Sequence, residues 1–91
     1  MRLDLFLKVT RLCPRRAVAQ QLCDAGLVLL NGRTVKPAHA VKGGDQIVIR
    51  RRDQEIAVRV VTVPALRSVS RREASELVEI VSEKRVKSSV D

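Results

Sequence analysis

Five basic side chains stand within the first sixteen residues, at Arg2, Lys8, Arg11, Arg15 and Arg16. A guanidinium is a planar fork of N–H donors that matches the oxygens of a phosphate or a carboxylate, so the chemistry these residues do best is anion binding. Arg15 and Arg16 pose the question most sharply. The sequence pattern puts them at the start of a helix, where aligned peptide dipoles already leave partial positive charge. Two cations there are unfavourable unless an anion joins them, and exposed N–H groups beside a guanidinium make a phosphate site. The alternative is internal: Arg15 or Arg16 pairs with Asp4 on the neighbouring helix and fixes the helix pair without a ligand.

Two helices must hold these residues. Leu3, Phe6 and Leu7 fall at the i, i+3, i+4 spacing of one face and predict a helix over 2–12, with Asp4 in its first turn and an i, i+4 pair between Asp4 and Lys8. Pro14 stops that helix and opens a second, which Gly26 closes. With Leu22 taken as the centre of the buried face and about 100° per residue, Val18 and Ala25 turn inward, Arg15 lies at the edge of the core, and Arg16 and Gln20 point outward. Arg16 is therefore expected to be free to bind.

After Gly26 the period changes. "LVLLNGRTV" reads as a hairpin broken at Asn31-Gly32, a dipeptide that accepts the positive φ of a tight turn. "KGGDQIVIR" adds a strand with Ile47 and Ile49 on one face, and "EIAVRVVTV" a further strand after the polar turn "RRDQ". Ser70 with Glu73 three residues on is a capping-box arrangement, and Ala74, Leu77, Val78 and Val81 follow at helical spacing. The expected fold class is α+β: two N-terminal helices packed on a small twisted antiparallel sheet over 1–64, a C-terminal helix over 65–86, and a frayed tail at 87–91.

The charge is uneven. Residues 1–59 hold twelve basic and five acidic side chains, while residues 60–91 hold six and five, out of a total net charge of +8. A field of that sign selects nucleic acid, acidic protein or anionic membrane as partner. Arg67 and Lys87 lie in the nearly neutral C-terminal third and are not expected to contribute. A chain of 91 residues buries only about 60 to 65% of its unfolded surface and has little room for an enclosed active site.

Catalytic and metal chemistry find no support. His39 is the only histidine, the carboxylates are scattered, and no nucleophile–base or metal-ligand spacing occurs, so no catalytic residue, metal or cofactor is expected. Cys13 and Cys23 lack Cys-x-x-Cys spacing and read as packing residues. The longest apolar run, Leu27 to Leu30, is far too short to span a bilayer, and the N-terminus has no secretory pattern. A cytoplasmic, soluble chain without membrane contact is expected. Phe6 is the only aromatic residue and falls on the apolar face of the first helix, which removes any platform for stacking splayed bases. For a nucleic-acid partner, what remains is recognition of backbone and shape.

Read in order, "RLD" at 2–4, Leu7, Arg16-x-x-Ala19, Gly26-x-Val28, "NG" at 31–32, Val41 and "GD" at 44–45 with Ile47 resemble the RNA-binding domain named after ribosomal protein S-four, also called the αL domain. The resemblance covers residues 2–49. Arg15 stands where that family often has Ser, and Cys23 where it has a larger aliphatic residue. The small size, the start "MRLDLFLKV" and the ending "EASELVEIVSEKRV" further resemble the family's stand-alone members of ribosome-associated quality control, more than the heat-shock relative that recycles large subunits and carries a long basic extension.

The resemblance implies an RNA-gripping face made by the two helices and the following turn. Its residues are Arg2, Asp4, Lys8, Arg11, Arg15, Arg16, Gln20 and Asn31, with Arg33 and Lys36 at the margin. It implies as partners the large-subunit rRNA, peptidyl-tRNA on an obstructed large ribosomal subunit, and a tRNA-delivering quality-control factor that tails the stalled chain. The chain is expected to act as a monomer.

Overall fold

A computed structural model describes residues 1–65 and 67–85. The elements run α1 (Leu3–Val9), α2 (Arg16–Asp24), β1 (Val28–Leu30), β2 (Arg33–Thr34), β3 (Gln46–Arg50), β4 (Gln54–Val60), α3 (Arg71–Glu76) and β5 (Val78–Arg85). The strands form one antiparallel sheet in the order β2-β1-β3-β4-β5. The architecture is α+β, as the sequence pattern predicts.

One face of the sheet carries the core. Val28 opposes Ile49 and Leu30 opposes Ile47 across β1 and β3, and Ile47 in turn opposes Val58 of β4. These side chains are buried with Leu3, Phe6 and Leu7 of α1 and Ala19 and Cys23 of α2, so the two helices cover this face. Burying each aliphatic or aromatic side chain contributes about 1.5–3 kcal/mol, which is what pins the helix pair to the strands.

Both helices end in the left-handed cap geometry. In α2 the Gly26 amide donates to the Cys23 carbonyl at 3.0 Å and the Leu27 amide to the Leu22 carbonyl at 2.9 Å, with Gly26 at φ 75. In α1 the corresponding position is Arg11, at φ 64, whose amide donates to the Lys8 carbonyl at 3.0 Å. The Asn31-Gly32 hairpin has positive φ at both residues, 52 and 83, the backbone a tight two-residue β-turn requires. Asn31 also donates through Nδ2 to Asp45 Oδ1 at 3.0 Å and accepts at Oδ1 from the Gln46 amide, locking β1 to β3.

Three expectations need correction. The first helix stops at Val9, because Thr10 turns its hydroxyl back onto the Phe6 carbonyl and Arg11 leaves the helical region. The second begins at Arg16 with Arg15 as its extended N-cap, so Pro14 lies outside it. The C-terminal helix is only Arg71–Glu76: Ser70 accepts from the Glu73 amide as its cap, but Val78–Arg85 forms β5 instead. Val78, Ile80 and Val81 are β-branched, and β4 offers them a ladder from Val60↔Val78 to Gln54↔Arg85. A register shift at Ala57/Val58 leaves Val81 unpaired, and Ile80 and Val81 are both exposed. The tail at 87–91 lies outside the described residues.

Candidate nucleic-acid interface

The site is built around a carboxylate with no solvent contact. Asp4 is 0% exposed, on the inner side of α1 among Leu3, Phe6 and Leu7. A buried charge is unfavourable unless it is fully bonded, and Asp4 is. Its Oδ1 accepts from Arg2 Nε at 3.1 Å and from the Leu5 amide at 2.7 Å. Its Oδ2 accepts from Arg2 Nη2 at 3.2 Å, Arg16 Nε at 3.1 Å and Gln20 Nε2 at 2.9 Å. Burial pushes this carboxyl up, but the bonds from Gln20, Arg16 and the Leu5 amide, with the Arg16 charge, outweigh it and hold the group below the usual carboxylate range.

This arrangement decides how α2 is turned. Its buried residues are Ala19 and Cys23, with Leu22 only half-buried, so the helix is rotated by about one residue from the expected setting. Arg16 and Gln20 consequently face α1 and meet Asp4, while Arg15 is exposed. The expectation that Arg16 points freely outward is corrected: the internal pairing with Asp4 exists. It does not use up the residue, because only Nε is engaged. Arg16 remains 39% exposed, and among the described residues its two terminal nitrogens make no hydrogen bond. Arg2 is likewise 47% exposed.

The pairing with Asp4 therefore orients two guanidinium forks at the surface. An arginine held by one edge has less conformational freedom to lose when its other edge takes a phosphate. Asp4 itself is shielded from any ligand and acts on Arg2, Arg16 and Gln20. Asn31 is committed to the β1–β3 junction. Lys8 and Arg11 are exposed along the outer side of α1, and Arg33 and Lys36 border separate hollows near the hairpin and at the end of α2.

The first amides of α1 are already satisfied, Leu3 by the His39 carbonyl at 2.8 Å and Asp4 by the Pro37 carbonyl at 3.1 Å. The start of α2 has no side-chain cap and no acidic residue in its first turn.

A family profile described as the S4 domain matches residues 1–47, the span that carries α1, α2, the hairpin and the first two residues of β3. The chain belongs to the S4-domain family. The RQC P-site tRNA stabilizing factor of Halalkalibacterium halodurans is 39% identical over 89 residues, 98% of this chain and 99% of that relative. The protein of the same name in Streptococcus pneumoniae is 37% identical over 90 residues, 99% of this chain and 100% of that one. Among solved structures, the trimeric Heat Shock Protein 15 of Vibrio cholerae superimposes with a TM-score of 0.80 at 29% identity, covering 90% of this chain and 82% of its own. The solution structure of hypothetical protein HP1423 gives 0.79 at 31% identity, covering 92% and 100%. The resemblance to stand-alone quality-control members is borne out by these relatives.

In this S4-domain chain the thiols are packing atoms. Cys13 and Cys23 are both free and buried. Burial pushes the Cys13 thiol up despite the nearby Arg51, and pushes Cys23 up to about 11, with Cys13 adding to it. A thiol that stays protonated at neutral pH is a poor nucleophile. Among the described residues no three His, Cys, Asp or Glu side chains gather as a metal site, and no helix is long and apolar enough to cross a membrane.

Arg67, which the nearly neutral charge of the C-terminal third gave no reason to count with the other cations, lies beside them. Arg67 borders a hollow with Arg2 and Arg16, and another with Lys8 and Arg11. Only the path of the connector between β4 and α3 brings it there, and that path has no periodic signal in the sequence.

Proposed function

We propose that this chain is a non-enzymatic RNA-binding protein of ribosome-associated quality control that holds rRNA and P-site peptidyl-tRNA together on an obstructed large ribosomal subunit. In that position it supports C-terminal tailing of the stalled chain by a tRNA-delivering partner, in the cytoplasm and as a monomer. The observation that carries the reading is the pair of half-exposed guanidiniums, Arg2 and Arg16, fixed on the buried Asp4 within an S4 domain.

The near full-length similarity to proteins named RQC P-site tRNA stabilizing factor supports the choice of tRNA and ribosome as targets. The contact is with phosphate and shape: Phe6, the only aromatic residue, is buried, so no base stacks on an exposed ring. Arg2, Arg15, Arg16 and Gln20 face the RNA first, with Lys8 and Arg11 beside them and Arg33 and Lys36 at the margin.

The likeness to Heat Shock Protein 15 favours a second reading, recycling of large subunits without tailing. A reconstituted reaction separates the two. Large subunits bearing peptidyl-tRNA are supplied with the tailing factor, with or without this protein. Longer C-terminal tails in its presence support the first reading. Binding to the same particles without any effect on tail length supports the second, and no binding overturns both.

A further inference from the structure

α1 presents an outer stripe of residues three apart, Arg2 at its N-cap, then Leu5 and Lys8, and Arg11 follows just past its C-cap, where it borders the same hollow as Lys8. Two hollows lie along this stripe. The first, about 420 Å³ and open, is bordered by Arg2, Leu5, Arg16 and Pro64. The second, about 100 Å³, is bordered by Lys8, Arg11 and Ser68. Arg67 borders both.

We infer that Arg67 joins these hollows into one cationic cleft along α1, which takes a continuous stretch of RNA phosphodiester backbone. Arg2, Arg16 and Arg67 hold one phosphate region, and Arg67, Lys8 and Arg11 the next. The inference rests on the RNA-binding reading above and adds to it the track that the backbone follows.

The electrostatics favour an outside anion. Five cations border the two hollows, and among the described residues the one carboxylate that meets any of them is Asp4, buried beneath and already bonded to Arg2 and Arg16. Arg67 is exposed and makes no ion pair among the described residues. Like charges gathered without counter-charge destabilise the free protein, and a polyanion relieves that repulsion. The seven residues of α1 give the cleft about 10 Å of helix axis, so a chain of phosphates fits its shape better than a single ion. Arg11 adds a second sign. Its left-handed backbone is the position that α2 gives to Gly26, so the guanidinium stands there against backbone preference.

The test uses the full chain and isolated large ribosomal subunits carrying tRNA, with pelleting affinity measured over a salt series. Arg67→Ala is expected to weaken binding about tenfold or more and to make the log-log salt slope shallower by about one. Arg67→Lys is expected to retain the slope. Arg72→Ala, on α3 and paired with Glu76, is expected to behave as the unaltered chain. Thermal unfolding of Arg67→Ala should be unchanged, since the side chain is exposed. If Arg16→Ala weakens binding while Arg67→Ala matches Arg72→Ala, the cleft is overturned and the RNA reading stands. If Arg16→Ala and Arg67→Ala are both silent, both fall. If Arg67→Ala loses stability, the slope of Arg67→Lys decides: recovery supports the cleft, and a slope still shallower by about one overturns it.

Discussion

Arg16 Nε donates to Asp4 Oδ2 across 3.1 Å, and this bond joins the stability of the fold to the shape of its cationic face. It ties α2 to α1 at a point where α1 would otherwise bury an unpaired charge. The same bond leaves the far end of the Arg16 guanidinium in solvent. Asp4→Asn separates charge from shape, because the amide keeps the volume but offers one acceptor oxygen and sets its own NH2 against the donors around it. The expected loss is about 1–3 kcal/mol of stability, read as roughly 4–8 °C of Tm for each kcal/mol in a domain of this size. RNA affinity should also fall, although Asp4 touches no ligand. Unchanged Tm and unchanged affinity together would remove Asp4 from the mechanism.

The same carboxylate sets the acid limit of the helix pair. Its pKa in the folded chain lies below the ordinary value of 3.8, so the unfolded chain takes up the proton first as pH falls. The stabilisation is complete at neutral pH, begins to be lost near 3.8 and is gone once the pH has dropped through the folded value. Thermal unfolding followed from pH 7 downward (roughly pH 7 to 2) should therefore show the unaltered chain and Asp4→Asn converging at the acid end. A constant difference between them at all pH values would show that the charge of Asp4 has no part in the effect.

Arg15 and Arg16 are adjacent in sequence, and only one of them is tied into the fold. Arg15 is exposed at the N-cap of α2 and makes no side-chain bond among the described residues, whereas Arg16 holds Asp4. Arg15→Ala should weaken binding to tRNA-bearing large subunits by about tenfold, the loss of one charged contact, with no change in Tm. Arg16→Ala should reduce both affinity and Tm. Equal Tm values for the two variants would show that the Asp4 bond contributes no stability.

The sequence pattern carried the order of the elements through the Ser70 cap of α3 and lost it after Glu76, and before that it misplaced the ends of α1 and α2, for physical reasons. Leu3, Phe6 and Leu7, the Asn31-Gly32 turn and the Ile47/Ile49 alternation are local signals, and each stands where it was expected. The run Ala74, Leu77, Val78, Val81 fits a helix and also contains β-branched residues suited to a strand; the free edge of β4 decided for the strand, and that is a tertiary effect. The pairing of Arg15 or Arg16 with Asp4 was legible as an alternative, but the rotation of α2 was not, because it depends on Asp4 being a charge inside the core, which no count of apolar residues anticipates. The cations of the first sixteen residues were read from composition and spacing, whereas Arg67 was not expected to join them. Which cations share a hollow was not legible, since Arg67 reaches α1 along an irregular connector.

Arg11 offers a case in which stability and binding should move in opposite directions. Its φ of 64 closes α1 in the geometry where glycine is favoured, and a non-glycine residue there costs about 1 kcal/mol. Arg11→Gly should raise Tm slightly or leave it unchanged while weakening RNA binding. Arg11→Ala keeps the unfavourable backbone and loses the charge, so it should weaken binding equally without the gain in Tm. If Arg11→Gly binds as well as the unaltered chain, the guanidinium of Arg11 does not hold phosphate.

The strand that replaced the expected helix makes the last prediction. β5 covers the outer edge of β4 from Gln54 to Val60, and without it the backbone of that strand is open to pairing with another chain. β5 itself buries little: Ile80 and Val81 are 59% and 54% exposed, so its contribution lies in its ladder of hydrogen bonds and not in its side chains. Truncation after Leu77 is therefore expected to produce self-association on size-exclusion chromatography and a lower urea midpoint. Truncation after Arg85, which keeps the ladder, should leave both unchanged. Ile80→Ser should stay within about 0.5 kcal/mol of the unaltered chain, as exposed substitutions do. A monomer of undiminished stability after truncation at Leu77 would mean that β4 closes the sheet unaided, and β5 would then be an appendage with no part in the fold.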